Sequence, residues 1–242
     1  MLRIFLGCII GFPAVLYVFI RLYYRKHHYS KYSEINNFNL AVHIIKIIMF
    51  FGFIRTKVYG IENLPQKGGY IMYPNHQGKY DTLGIMYGHP TPCSVVIDEK
   101  RSHFVFVDPF ITITDSLRMD KTSMKSQLQT ILEVSRRVSA GQRYIIFPEG
   151  GYESNGNHLQ TFLPGSFKCA LKAKCPIVPT VIIDSYKVFN TRSIKPVTTK
   201  IFFLPPICFE EYSNMHTTEI AQLVQGRIAE KLNTELASPN SN

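Results

Sequence analysis

The 242-residue sequence lacks the short patterns that identify several common enzyme classes. It has no GxSxG elbow, no GxxxxGK[ST] loop and no HExxH pair, so the usual signatures of α/β hydrolases, P-loop nucleotide hydrolases and zinc proteases are missing. Its five cysteines are scattered and form no CxxC pair. The sequence therefore indicates neither a disulfide framework nor a metal site, and we expect free thiols in a reducing compartment.

Acidic residues are also scarce. The chain has 17 Asp and Glu against 27 Lys and Arg, for a formal net charge of +10. Residues 1–60 hold eight of the basic residues and a single acidic one, Glu34, and this part of the chain is also the most hydrophobic. A basic excess within an apolar segment indicates a surface for anionic lipid headgroups rather than for nucleic acid.

The first apolar segment, residues 4–20, is interrupted only by Gly7, Gly11 and Pro13. A helix of this length measures about 25 Å, slightly less than the roughly 30 Å hydrocarbon core of a bilayer. It can either span the membrane or enter it and turn at Pro13. If it spans, the excess of Lys and Arg in residues 21–31 predicts that the rest of the chain faces the cytoplasm.

A second apolar segment, residues 36–54, carries a narrow polar stripe made of Asn36, Asn39, His43 and Lys46. The spacing predicts a helix in the membrane interface with its stripe toward water or protein, and a buried core helix is the alternative. We therefore predict an N-terminal membrane helical hairpin over residues 1–57, which holds the catalytic face against the cell membrane without supplying reacting groups.

Residues 58–242 have the pattern of an α/β domain with a mixed, largely parallel central sheet flanked by helices. Short β-rich runs alternate with amphipathic segments. We predict strands at 69–73, 93–98, 143–147, 177–183 and 200–204, and helices beginning at 81 and spanning 123–139, 166–174 and 217–236.

Within this domain, one apolar run stops at Pro74 and passes into a polar turn with His76 and Asp81. Chemistry in open α/β sheets lies at the carboxyl ends of strands, and His moves protons near neutral pH. The spacing lets His76 contact Asp81 only if His76 precedes a helix and Asp81 lies in its first turn. A helix N-cap is the alternative role for Asp81. The chain has a second HxxxxD match, His103 to Asp108, in a run predicted to be extended, which would put these two side chains on opposite faces.

Two later runs show a similar β-rich pattern beside proline. In chain order, the three motifs are Asn75-His76 with Asp81, Phe147-Pro148-Glu149-Gly150, and Pro176-Ile177-Val178-Pro179. Together they resemble the ordered motifs of the glycerolipid acyltransferases, specifically the bacterial 1-acylglycerol-3-phosphate acyltransferases. The resemblance covers roughly residues 59–209, and the N-terminal segment is similar to the family in character only.

The resemblance implies transfer of a fatty acyl group from acyl-CoA or acyl-carrier protein to the free hydroxyl of lysophosphatidic acid, giving phosphatidic acid, with no cofactor beyond the acyl donor. His76 would be the general base and Asp81 its orienting partner. Asn75, Glu149 and Gly150 would bind the acceptor, with Glu149 and Gly150 positioning its glycerol backbone.

The chain departs from the family where the acceptor's phosphate should bind. Gly151-Tyr152 replaces the usual Thr-Arg, and Lys121 stands where another motif has Arg. We therefore expect Arg118 and Lys121 to bind the phosphate, an ordinary solvated helix entry being their alternative role. Acylation of another lysolipid or lipid-like alcohol, and a catalytically silent lipid-binding protein on the same fold, remain alternatives.

Overall fold

The structure is a computed structural model that describes residues 2–191 and 193–237. Its centre is a seven-stranded sheet in the order β1-β7-β6-β2-β5-β3-β4. The strands are β1 (Ile54–Tyr59), β2 (Tyr70–Pro74), β3 (Ser94–Asp98), β4 (Leu117–Met119), β5 (Arg143–Ile145), β6 (Ile177–Ile183) and β7 (Val197–Phe203). The helices are α1 (Leu2–Ile10), α2 (Phe12–His27), α3 (Glu34–Phe51), α4 (Asp81–Gly88), α5 (Glu99–Ser102), α6 (Val107–Ile113), α7 (Met124–Ser139), α8 (Lys168–Ala173), α9 (Lys187–Asn190), α10 (Phe209–Tyr212) and α11 (Thr217–Ala237).

Five neighbouring strands, β6, β2, β5, β3 and β4, run parallel, while β7 is antiparallel to β6 and β1 is parallel to β7. The prediction of a mixed, largely parallel sheet flanked by helices is confirmed. The carboxyl ends of the five parallel strands share one edge of the sheet, so the segments that follow these strands meet there.

Alternate side chains of β2 enter different cores, which shows that both sheet faces are covered. Ile71 and Tyr73 lie in a core with α7, α8 and α11, whereas Tyr70 and Met72 lie in a second core with α3 and α4. A strand buried on both faces reads as a continuous apolar run, as the sequence of β2 does.

The N-terminal region differs from the predicted two-helix hairpin in its number of helices. It contains three helices, because the first apolar segment breaks at Gly11 into α1 and α2. Among the described residues, no helix has both the length and the apolar character needed to cross a bilayer. The membrane hairpin therefore stays a prediction.

Helix α3 packs directly on the sheet domain. Phe38, Ile45 and Met49 are buried in the core shared with β2 and α4, whereas the predicted polar stripe is exposed. The structure therefore gives α3 a feature of each interpretation. Its apolar face is buried in the core, and its polar stripe faces solvent. The predicted domain boundary after residue 57 falls inside β1, whose Ile54 already pairs with β7.

The prediction of an extended run from His103 to Asp108 is wrong. A short helix, α5, ends at Ser102, a turn follows, and α6 begins at Val107. Apolar content alone suggested a strand, but Phe104, Val105 and Phe106 are exposed rather than buried in a sheet. His103 and Asp108 nevertheless do not pair with each other, because His103 Nε2 contacts Glu99 while Asp108 pairs with Lys26 and Arg118.

Candidate active site

The predicted histidine and carboxylate lie together at the edge where the parallel strands end. His76 follows β2, and Asp81 is the first residue of α4. His76 Nδ1 is 2.7 Å from Asp81 Oδ2. Since a carboxylate oxygen accepts only, Nδ1 donates, and the lone pair of the neutral ring is on Nε2. Within the described part of the chain, no hydrogen bond occupies that nitrogen.

The carboxylate of Asp81 is fully buried and held by further donors. Its Oδ2 accepts hydrogen bonds from the backbone N–H groups of Gln77 at 2.6 Å and Gly78 at 2.9 Å, and its Oδ1 accepts from Ser185 Oγ. Ser185 follows β6, so the neighbouring strand also fixes the dyad. An oriented carboxylate of this kind sets the tautomer of its histidine and stabilises the imidazolium.

Two aromatic rings contact the imidazole of His76. Phe147 stacks on it with ring centroids 4.0 Å apart, and Tyr152 approaches edge-on at 4.7 Å. The His76 side chain keeps 16% of its surface exposed. The ring is thus confined on two sides but remains accessible to a small reacting group.

Glu149, which follows β5, stabilises the turn that carries His76, the histidine turn. Its Oε1 accepts the backbone N–H of His76 at 3.2 Å, and its Oε2 accepts Gln160 Nε2 at 2.9 Å. Burial raises the pKa of Glu149 from its ordinary value of 4.5 to about 7, against the opposing effect of these hydrogen bonds. Both carboxyl oxygens are engaged by the protein, so acceptor binding by Glu149 stays a prediction.

Asn75 ties the histidine turn to β6. Its side-chain Oδ1 accepts the backbone N–H of Ile182 at 2.7 Å, and its Nδ2 donates to the Ile182 carbonyl at 2.9 Å. The side chain is buried. In this structure Asn75 therefore positions the turn that carries His76, and the contacts described for it do not reach an acceptor site.

The two predicted phosphate ligands are already paired. Arg118 contacts Asp108 Oδ1 at 2.6 Å and Ser102 Oγ at 3.0 Å. Lys121 Nζ lies 3.2 Å from Asp98 Oδ2 and donates to the Gly150 carbonyl at 2.6 Å. The structure thus joins Lys121 to Gly150, but among the described residues no contact links Arg118 to the dyad. Their binding of phosphate stays a prediction.

The acyltransferase family model matches residues 55–183, more than half of the chain, including His76, Asp81 and Glu149 but not Ser185. The chain belongs to the acyltransferase family.

The chain is also similar to named acyltransferases. The chain is 28% identical to the 1-acyl-sn-glycerol-3-phosphate acyltransferase of Saccharomyces cerevisiae over 80% of this chain and 66% of that protein. It is 24% identical to the enzyme of the same name from Borreliella burgdorferi, over 78% of this chain and 76% of the relative. The chain thus spans about two thirds of the yeast protein and about three quarters of the bacterial one.

The fold also matches a solved acyltransferase. The crystal structure of the 1-acyl-sn-glycerophosphate (LPA) acyltransferase PlsC from Thermotoga maritima aligns with a TM-score of 0.80, covering 98% of this chain and 97% of that one. Because the two sequences are only 18% identical, this likeness establishes the shared fold alone. The match includes the N-terminal helices, which the family model does not cover.

Several residues of this acyltransferase site were missed by the sequence analysis. Gln77 donates from Nε2 to Asn157 Oδ1 and to the Ile182 carbonyl, both at 2.8 Å, and Ser185 caps the dyad. Ser185 is more than a hundred residues from Asp81, and nothing in its local sequence distinguishes it. Tyr152, by contrast, could be singled out from the sequence, because it stands where the family motif has arginine.

A cavity of about 540 Å³ opens beside the dyad. Phe5 of α1, Gly78 of the histidine turn, and the aromatic side chains of Tyr152, Tyr186 and Phe189 line it. Its lining is largely apolar, and it connects the N-terminal helices with the reactive end of the sheet. Among the described residues, no cluster of three or more His, Cys, Asp or Glu has the geometry to hold a metal ion.

Proposed function

We propose that this acyltransferase moves a fatty acyl group from an acyl thioester to the free hydroxyl of 1-acylglycerol-3-phosphate, giving phosphatidic acid. The observation that carries the proposal is the His76–Asp81 pair, with a donating Nδ1 held at 2.7 Å and an Nε2 to which no described residue hydrogen-bonds. The names of the yeast and bacterial relatives support the choice of acceptor.

In this mechanism, His76 Nε2 removes the proton of the acceptor hydroxyl as its oxygen attacks the thioester carbonyl. The carbon–sulfur bond breaks, and the proton passes from the imidazolium to the leaving thiolate, so a free thiol and an ester are the products. Asp81 stabilises the imidazolium in between. No covalent intermediate on the protein is required, because the acceptor supplies the nucleophile.

The donor would be acyl-CoA or acyl-carrier protein, and no further cofactor is needed for this chemistry. An acidic carrier protein suits a chain with a net charge of +10, since complementary charge speeds encounter. Replacement of the usual Thr-Arg by Gly151-Tyr152 favours one alternative, a different lysolipid or lipid-like alcohol as acceptor.

We further propose that the protein works at the cytoplasmic face of the cell membrane. Helices α1 and α2 expose many large apolar side chains, among them Phe5, Ile9, Ile10 and Phe12. Basic residues follow in α2, where Arg21 is partly exposed and suits anionic headgroups, whereas Arg25 is buried and Lys26 pairs with Asp108. All five cysteines are free thiols, as a reducing compartment allows.

The decisive experiment offers the purified protein, in detergent, radiolabelled acyl-CoA or acyl-carrier protein together with lysophosphatidic acid, lysophosphatidylcholine or monoacylglycerol. We expect labelled phosphatidic acid as the main product. The proposed acceptor is wrong if neither donor yields phosphatidic acid while another acceptor is acylated.

Three variants test the proposed base. We expect His76→Ala and Asp81→Asn each to lower kcat by about 10²–10⁴-fold, the usual cost of losing a general base or its orienting partner. His103→Ala is the matched control, since His103 also belongs to an HxxxxD sequence but has a side chain 64% exposed against Glu99. Equal losses at His76 and His103 would show that His76 is not the base.

A further inference from the structure

Arg101, a residue outside the family motifs, contacts the ring of Tyr152, which in turn contacts His76. It lies in α5, directly after β3, and its side chain is exposed. The guanidinium carbon is 5.0 Å from the centroid of the Tyr152 ring. Since that ring meets His76 edge-on at 4.7 Å, only one aromatic side chain separates a positive charge from the proposed base.

Arg101 is also available for a ligand near this ring, unlike the two cations predicted to bind phosphate. Arg118 is paired with Asp108, and Lys121 with Asp98 and the Gly150 carbonyl. For Arg101, the described part of the chain provides the Tyr152 ring but no hydrogen bond or ion pair. Against the effect of burial, Lys121 and, more weakly, Arg101 lower the pKa of Asp98, which forms its ion pair with Lys121, so a phosphate could bind Arg101 without displacing a hydrogen-bonded carboxylate.

On the basis of the proposed function, we propose that Arg101 binds the phosphate of the acceptor. Tyr152 stands where the family motif has an arginine, and the ring holds the guanidinium of Arg101 beside the same strand end. The positive charge that the family motif places after β5 is thus supplied in this chain by Arg101, after β3. The reacting hydroxyl and the phosphate are separated only by the short glycerol arm, which fits one group at His76 and the other beyond the ring.

The chemistry suits arginine at this position. The N–H groups of a guanidinium lie in its own plane. When the guanidinium lies over an aromatic ring, these groups stay free to donate to two phosphate oxygens at once. Charge-assisted hydrogen bonds of this type contribute about 1.5–3 kcal/mol, which corresponds to a factor of roughly 10–100 in binding.

The test is steady-state kinetics of Arg101→Gln against Lys100→Gln, a neighbouring exposed cation on the same short helix. We expect Arg101→Gln to raise the KM for lysophosphatidic acid about 10–100-fold, with kcat and the KM for the acyl donor little changed. Lys100→Gln should match the wild-type protein, and Arg101→Lys should recover part of the loss, since lysine keeps the charge without the fork.

Other outcomes overturn the inference. An unchanged KM for lysophosphatidic acid excludes phosphate binding by Arg101, and a raised KM for acyl-CoA alone assigns the residue to the phosphates of the donor. A parallel fall in kcat and melting temperature would indicate a structural role. Wild-type protein that fails to acylate lysophosphatidic acid would instead refute the proposed function, whatever Arg101 does.

Discussion

Glu149 is a buried carboxyl group beside the proposed base, and its protonation couples the site to pH. The folded protein raises the pKa of this group to about 7 because burial disfavours its charge. Between about pH 4.5 and 7 the folded state therefore holds a proton that the unfolded state has released. The contribution of Glu149 to stability is fully present below about pH 4.5 and is lost as the pH rises through 7.

Glu149→Gln should remove this pH dependence. We expect the free energy of unfolding of the wild-type protein, relative to the variant, to fall by about 2–3 kcal/mol between pH 4.5 and 7.5. Denaturant titrations of both proteins at a series of pH values measure the difference. Glu153→Gln, an exposed position on the same loop, is the control, and the same slope for both variants would exclude Glu149 as its source.

At the residue scale, the sequence predicts the members of the site that are close along the chain. The five-residue spacing of His76 and Asp81 was enough to require a turn followed by a helix, and the structure has that arrangement. Ser185 and Gln160 could not be found in this way. Their contacts with Asp81 and Glu149 depend on how strands and loops pair across the sheet edge, which no local pattern encodes.

At the scale of elements, the turn after β5 depends on a glycine. Gly150 has a φ of +70°, a left-handed conformation that costs other residues about 1–2 kcal/mol. A Cβ at this position would also lie 2.7 Å from Leu163 Cδ1. The turn places Glu149 against the His76 backbone and offers the Gly150 carbonyl to Lys121, so its shape affects the site directly.

We expect Gly150→Ala to lower kcat/KM by roughly 10–100-fold, because small displacements of a positioned group are costly in rate, with only a modest fall in melting temperature. Gly151→Ala provides the matched control, since a Cβ there meets no described atom within 4 Å. Activity and melting temperature are measured on both variants. If the two lose activity equally, backbone conformation at Gly150 is not the cause.

The turn between α5 and α6 extends the apolar surface of the N-terminal helices. The ring centroids of Phe106 and Phe19 are 6.1 Å apart, and the Tyr23 hydroxyl donates to the Val105 carbonyl at 3.1 Å. Phe104 is 67% exposed. Periodicity cannot distinguish an apolar run buried in a sheet from one exposed on the surface, which explains the wrong strand prediction at this turn.

If this turn enters the bilayer, Phe104→Ser should weaken binding to anionic phospholipid vesicles by about tenfold, from the loss of about 1.5 kcal/mol of apolar burial. Vesicle sedimentation measures the change. Leu236→Ser is the control, because Leu236 is also exposed, at 41%, but lies on α11, which packs on the other face of the sheet. Equal effects at both positions would argue against a specific membrane role for the turn.

The elements that the sequence predicts well are those buried on both faces or clearly amphipathic. Strand β6 has the predicted bounds, and α7 begins after its N-cap Ser123, within one residue of the prediction. The missed strands, β1 and β4, are at the two edges of the sheet, contain charged residues and are only half buried. The partner of β1 lies far away along the chain and β4 has only three residues, so local sequence gives little indication of either strand.

At the scale of the whole molecule, the N-terminal helices are part of the core as well as a candidate membrane surface. Phe38, Ile45 and Met49 are buried with residues of β2 and α4, and Ile54 begins the first strand. Losing the burial of each such side chain costs about 2–5 kcal/mol. Removing all of them approaches or exceeds the total stability of a typical domain, about 5–15 kcal/mol.

Helix α1 is different, because its outer side chains are exposed. Phe5, Ile9 and Ile10 face solvent, and the close contact is at Gly7, where a Cβ would lie 2.2 Å from the Phe51 carbonyl oxygen. Its contribution to the core is therefore small, while its contribution to the apolar surface is large. The N-terminal segment thus divides into an outer part with exposed apolar side chains and an inner part buried in the core.

Two truncations test this division. We expect a chain lacking residues 1–55 to lose cooperative thermal unfolding, and a chain lacking residues 1–11 to keep it with a slightly lower melting temperature. The shorter truncation should bind anionic vesicles more weakly than the full chain. Vesicle binding by the full chain and by the shorter truncation should also fall as the salt concentration rises, since exposed charges are screened within about 8 Å at physiological ionic strength. A folded, stable chain without residues 1–55 would show that α3 is not part of the core, and unchanged vesicle binding without residues 1–11 would show that α1 does not contact lipid.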